Sequence, residues 1–349
     1  MQRNCNMFAR HLLLYSPAMR PFFLPVFAIG LSICPLGVSA TELKPADNVQ
    51  AVGGAANEAE ADPVAQFALA RAYLLGQGVD RDPAKAYEWM QKSAAQGYPE
   101  AEGGLGYFYA TGTVVAKDEQ EAIRWFRKGA EKGVVRAQYN LGKTLLDSKS
   151  PDANWDEGRT WMQKAADAEM LEALVDYGHI LYLGEKGGST DRAAAFPYLL
   201  KAAEAGHKDA QNTMGVIYQF GQMRDIDLAL AEYWYRQAAN QGHARAQSNL
   251  GAILGPETDD PERRVEALMW LLIAGNQDEI TARKRLAELL LGVRANEIEE
   301  ARKRADQFFG SNLSAKKRMK QYMDEAEKAR DETIQLEVVP VEPKMPGEL

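Results

Sequence analysis

One alanine recurs along this chain at a nearly constant step. Ala65, Ala101, Ala137, Ala173, Ala210 and Ala246 are separated by 36, 36, 36, 37 and 36 residues. A period in this range marks an array of supersecondary units, each burying its apolar face only against its neighbours. Such an array grows by adding units, so 349 residues do not translate into a domain count in the ordinary way. Arrays of this kind present extended binding surfaces rather than enclosed reaction vessels.

Each unit carries the same internal pattern. Four residues after the alanine stand Leu69, Leu105, Leu141, Tyr177, Met214 and Leu250, and eight after it stand Tyr73, Tyr109, Leu145, Leu181, Tyr218 and Leu254. These positions share one face of a helix. Between them sits Ala70 in the first unit and Gly106, Gly142, Gly178, Gly215 or Gly251 in the others. A helical glycine costs about 1 kcal/mol relative to alanine, so its recurrence predicts a second helix backbone passing too close for a side chain.

A turn follows, clearest in Gly76-Gln77-Gly78-Val79 and Gly112-Thr113-Val114-Val115. Then come Asp82, Asp118, Asn154, Asp227 and Asp260, each placed to start a helix by accepting from the free amides of its first turn. The second helix carries Trp89, Trp125, Trp161, Tyr198, Trp234 and Trp270 at one position. Small residues stand three places before each ring (Ala86, Ala122, Gly158, Ala195, Ala231, Ala267) and five places after it. A large ring among small neighbours at helical spacing reads as core. On that reading Trp125→Ala costs about 3–5 kcal/mol. Gly97, Gly133, Gly206 and Gly242 then end the helix.

The series Leu105, Gly106, Tyr109, Gly112, Asp118, Ala122, Trp125, Lys128, Ala130 and Gly133 resembles the Sel-one-like repeat, a relative of the tetratricopeptide repeat. The likeness covers residues 63–278 as six repeats. The expected fold is all-α: a right-handed α-solenoid of six αα-hairpins with a C-terminal helical cap at 279–335. Repeat 3 lacks the glycine turn, repeat 4 has one extra residue near Gly187-Gly188, and repeat 6 replaces the turn with Gly255-Pro256-Glu257-Thr258. Within the cap, residues 314–334 form a charged helix whose stripe is Met319, Tyr322, Met323 and Ala326. That stripe either docks back onto the array or awaits a partner, with docking favoured. Residues 336–349 are expected to be a disordered tail.

The N-terminus reads as an address. Residues 21–37 are apolar and uncharged, Arg20 precedes them, and Val38-Ser39-Ala40 supplies small residues for cleavage after Ala40. Met19 would make a more compact start. Lipidation at Cys34 and an uncleaved anchor are the alternatives, and both also place the remainder outside the cytoplasm. Residues 41–62 are small and polar and read as a tether. The expected location is periplasmic or secreted, with a membrane-anchored form facing the periplasm as the alternative.

Composition limits the chemistry. The net charge is −8, which suits neither the phosphates of nucleic acid nor an anionic membrane surface. The cysteines are Cys5 and Cys34 alone, so a chain cleaved after Ala40 has no thiol nucleophile, disulfide or cysteine-ligated metal. His207 and His243 occupy equivalent places in adjacent repeats, about 10 Å apart, too far to share a zinc ion, and read with His179 as non-ligating. Gly142-Lys143-Thr144 mimics the end of a phosphate loop, but Ala137 stands where that motif needs glycine. No catalytic set, metal site or cofactor site is expected.

Tyr107, Phe108, Trp155 and Tyr233 fall outside the strict core positions and are the candidates for partner contact. The resemblance implies a non-enzymatic adaptor of the bacterial envelope that holds a protein or peptide in its concave groove. The alternative is a protein that binds or hydrolyses cell-wall glycan, or binds or hydrolyses β-lactams, the latter by analogy with cysteine-rich relatives whose disulfides this chain lacks.

Overall fold

The computed structural model describes residues 61–148, 154–255, 259–277 and 280–337, with side chains described as far as residue 328. The chain divides into two units, and the larger, Asp47–Leu349, holds every described residue. Expectations for residues 1–60 and 338–349 fall outside the described residues.

Fifteen helices and no strand are present among the described residues. Repeat 1 is α1 (Pro63–Leu75) and α2 (Pro83–Ala95); repeat 2 is α3 (Pro99–Thr111) and α4 (Glu119–Glu131); repeat 3 is α5 (Val135–Asp147) and α6 (Trp155–Asp167). Repeat 4 is α7 (Leu171–Leu183) and α8 (Arg192–Glu204), repeat 5 is α9 (Lys208–Phe220) and α10 (Leu228–Asn240), and repeat 6 is α11 (Ala244–Leu254) and α12 (Pro261–Gly275). The cap comprises α13 (Ile280–Leu290), α14 (Ala295–Phe309) and α15 (Leu313–Glu337). The two helices of each repeat pack together, and each second helix packs on the first helix of the next repeat.

Local chemistry sets both joints. Inside a repeat, Gly76, Gly112, Gly184 and Gly221 take left-handed φ of 71°, 69°, 71° and 62° and end the first helix. Asp82, Asp118 and Asp227 each cap the second helix by accepting the amide three residues on, at 3.1, 3.0 and 2.9 Å. The amides of these same residues donate to Tyr73, Tyr109 and Tyr218 carbonyls, which fixes the turn length. Between repeats, Gly97, Gly133, Gly206 and Gly242 are left-handed, and the residue after each donates back to Ser93, Gly129, Ala202 or Ala238. That residue is also the N-cap of the next helix. Repeat 3 breaks the pattern, with Glu169 at φ 60° where the others have glycine.

The core is displaced by one position from the aromatic stripe. Met90, Phe126, Met162, Leu199, Tyr235 and Leu271, each immediately after the aromatic, are at most 2% exposed. The aromatics Trp234 and Trp270 are buried, but Trp89, Trp125, Trp161 and Tyr198 are only half-buried. The reason is on the ring faces: Lys92, Lys128 and Lys164 lie over Trp89, Trp125 and Trp161 at 4.0, 4.1 and 3.8 Å. The stripe is therefore the margin of the core rather than its centre.

The recurring glycines also answer to side chains more than to backbone. A Cβ on Gly106 or Gly215 would lie 2.5 Å from the Phe126 or Tyr235 ring, and on Gly178 it would lie 2.9 Å from Leu199. The expected backbone approach holds at Gly142, where Met162 N would be 2.8 Å away. Gly251 meets both kinds of neighbour, the Leu271 side chain at 2.6 Å and the Ala267 carbonyl at 3.0 Å.

The cap closes the array. Ala315, Met319, Tyr322, Met323 and Ala326 of α15 are buried, and α15 packs on α12, α13 and α14. The charged helix is thus docked. Glu297 of α14 pairs with Arg264 of α12 at 2.6 Å, and this pairing holds its carboxyl below the usual glutamate range.

Candidate partner-binding face

The first helices of the repeats place three residues of one repeat position in register: Tyr107 on α3, Lys143 on α5 and His179 on α7. Tyr107 and Lys143 line a cleft of 330 Å³ that also involves Asn140, Thr144 and Asp147. Lys143 and Asp147 continue into a second cleft of 160 Å³ with Asp176, His179 and Lys186. A polar strip therefore runs across repeats 2 to 4. The larger cleft is closed on its other side by Glu119, Ala122 and Phe126 of α4, and the smaller by Met162 of α6.

Neighbouring repeats are tied along this strip. Tyr139 donates to Asp176 at 2.9 Å, and burial together with that carboxylate raises the Tyr139 pKa. Lys143 lies 3.6 Å from Asp147 and 3.8 Å from Asp176. His179 Nε2 meets Thr213 Oγ1 at 3.0 Å, and burial lowers the His179 pKa. The Asn140 side chain has no hydrogen-bond partner among the described residues. It offers one acceptor and two donors, the complement of an extended peptide backbone.

The four contact candidates separate. Tyr107 lines the larger cleft. Phe108 is fully buried and packs edge-on against Tyr87, so it is core and not a contact residue; the helical turn carries it inward beside Leu105. Trp155 and Tyr233 are 42% and 46% exposed and stand on second helices, α6 and α10; neither lines the two clefts, although Trp155 lies against Gly187, beside Lys186 of the smaller one. Lys143 and Thr144 sit within α5, where Thr144 Oγ1 donates to the Asn140 carbonyl at 2.7 Å. The Gly142-Lys143-Thr144 segment is a helix interior and not a phosphate loop.

His207 and His243 are closer in chemistry than their spacing implies, because one carboxylate, Asp209, faces both. It lies 3.2 Å from His243 Nε2 and 4.0 Å from His207 Nδ1. His243 Nδ1 accepts the Ala246 amide at 3.0 Å and caps α11, so its proton is on Nε2, the nitrogen facing Asp209. Burial lowers the His243 pKa. His243 is thus the cap of α11.

Six consecutive segments, 63–98, 99–134, 135–170, 171–207, 208–243 and 244–279, match the Sel1 repeat. The chain belongs to the Sel1 repeat family. Proteins built of Sel1 repeats mediate protein–protein interaction and are generally non-enzymatic scaffolds. A crystal structure of c5321, a protective antigen present in uropathogenic Escherichia coli strains and displaying an SLR fold, is 27% identical with a TM-score of 0.64. That match covers 86% of this chain and 61% of the E. coli protein, so this chain spans less than two thirds of that relative. A Sel1 repeat protein from Oxalobacter formigenes is 29% identical with a TM-score of 0.54, over 66% of this chain and 100% of that one. No curated protein matches the chain.

One feature of this Sel1 array escapes the apolar pattern. Gln66, Gln211 and Gln247, each directly after the leading alanine, are buried. Gln96, Gln241 and Gln277 donate to them at 2.9, 2.8 and 2.7 Å. The signal in the sequence is the repeated Ala-Gln pair, which a search for apolar positions passes over.

Proposed function

We propose that this protein is a non-enzymatic scaffold of the bacterial envelope, holding a peptide segment of a partner protein along the strip from Tyr107 through Lys143 to His179. The observation that carries this reading is the pair of contiguous clefts of 330 and 160 Å³ sharing Lys143 and Asp147 across successive repeats. Asn140 supplies an unused amide for backbone recognition, Tyr107 an aromatic surface, and the Lys and Asp side chains selectivity by charge. Neither cleft is lined by a serine, and Lys143 lies near two carboxylates, so the nucleophile that β-lactam hydrolysis would need is not supplied here. Support for the envelope comes from the apolar segment 21–37 and the Ser39-Ala40 cleavage site.

The test is site-specific photocrosslinking in cells. Probes at Tyr107, Asn140 and Lys143 are expected to capture one protein, while probes at Tyr233 and Lys128 on second helices are not. Capture only from the second helices would overturn the assignment of the face. Fractionation of the same cells checks location: protein retained in the cytoplasm removes the envelope part of the proposal.

A further inference from the structure

The first part of the cap has the opposite charge balance to the rest of the chain. Between Ile280 and Met323 there are eleven Lys and Arg against five Asp and Glu, in a chain of net charge −8, and the acidic residues of α15 begin only at Asp324. Some of these cations are engaged. Arg304 pairs with Glu262 and Glu300, and Arg302 lies 3.9 Å from both Asp324 and Glu327. Lys316, Lys317 and Lys320 have no ion-pair partner among the described residues. They line a cleft of 770 Å³ between α14 and α15 with Arg302 and Lys303, against the two carboxylates Glu299 and Asp306.

Their position is unfavourable for the helix that carries them. The first two turns of α15 hold Lys316, Lys317, Arg318 and Lys320, and no Asp or Glu appears before Asp324. The positive end of the helix dipole repels these charges. An anion at this end would relieve both the dipole and the mutual repulsion.

The adjoining corner is open and carries two exposed apolar side chains. Residues 310–314 between α14 and the start of α15 are all exposed. Leu313 is 80% exposed and Phe308 is 43% exposed. Exposed apolar side chains beside unpaired lysines match the interface of a bilayer, where apolar groups enter the headgroup boundary and lysines meet phosphates. An acidic peptide would use the lysines and leave Leu313 in water.

We propose that the α14–α15 corner docks peripherally on an anionic lipid bilayer, with Leu313 and Phe308 entering the headgroup region and Lys316, Lys317 and Lys320 facing the phosphates. No helix among the described residues is long and apolar enough to cross a membrane, so this contact is superficial. The acidic repeats do not oppose it strongly, because charges more than about 8 Å from the surface are screened at physiological salt.

The full chain is sedimented with vesicles of phosphatidylcholine alone and of phosphatidylcholine mixed with phosphatidylglycerol. The apolar segment 21–37 is common to all variants, so the readout is the difference between each variant and the wild type. Replacing Lys316, Lys317 and Lys320 together by Gln is expected to lower partition onto the anionic vesicles by roughly a hundredfold, about fivefold per lysine. Leu313→Ser is expected to lower it by roughly tenfold. All four side chains lie at the surface, and unchanged thermal melts will show that the variants fold. Equal partition of wild type and triple variant overturns the proposal. So does lysine-dependent binding of soluble poly-glutamate without lysine-dependent vesicle binding, which assigns the patch to an acidic protein partner.

Discussion

Phe126 and Trp125 are adjacent in the chain and have different fates. Phe126 is 2% exposed and fills the space left by Gly106, whereas Trp125 is half-buried under Lys128. Truncation of a buried ring leaves a cavity that its surroundings close only in part. Phe126→Ala is therefore expected to cost about 3–5 kcal/mol, and Trp125→Ala less, about 2 kcal/mol, because part of its ring is already in water. Urea melts of the two variants check this, and equal losses would place Trp125 back in the core. The same one-residue displacement removes Phe108 from the contact face while Tyr107 stays on it.

Elements of the array are joined by small residues whose purpose depends on the neighbour. Gly275 stands where the other repeats have Ala94, Ala130, Ala166, Ala203 and Ala239. A Cβ there would overlap the Tyr322 ring of α15. The sixth repeat thus carries a seat for the cap helix, marked in the sequence by one departure from its own repeat. Gly275→Ala is expected to loosen α15 while leaving repeats 1 to 4 unchanged. Hydrogen exchange by mass spectrometry measures this as faster exchange in residues 313–328 alone. Uniform acceleration along the chain would mean that α15 and the array unfold together.

Across the array the core of the described residues is not one piece. One buried cluster runs from Ala122 to Leu145, and a larger one runs from Leu146 to Ala326. The division falls in α5, where Gly142 and Gly158 bring the backbones of the two helices of repeat 3 together with little side-chain bulk between them. Repeat 3 also lacks the glycine that ends the second helices of repeats 1, 2, 4 and 5, with Glu169 strained in its place. In a one-dimensional array stability is a sum over units and their interfaces. The N-terminal repeats are expected to open first, so amides of α1 to α4 should exchange faster than those of α7 to α12 in mild denaturant. Simultaneous exchange throughout would show that the Gly142 joint transmits cooperativity fully.

Periodicity alone determined the helix number in the repeats, their caps and their glycine ends, because these are local: a short polar side chain satisfies amides two or three residues on, and a left-handed bend requires glycine. The docked stripe of α15 was also legible, since an apolar row on a charged helix must cover something. Tertiary structure alone decided which of two adjacent rings is core, since helical rotation resolves neighbours only when the packing partner is in place. It also decided that Asp209 faces two histidines from successive repeats, and that Tyr107, Lys143 and His179 share one strip. Charge summed over the chain hid the basic corner at Lys316–Lys320, because a net value of −8 averages over distances that screening makes independent.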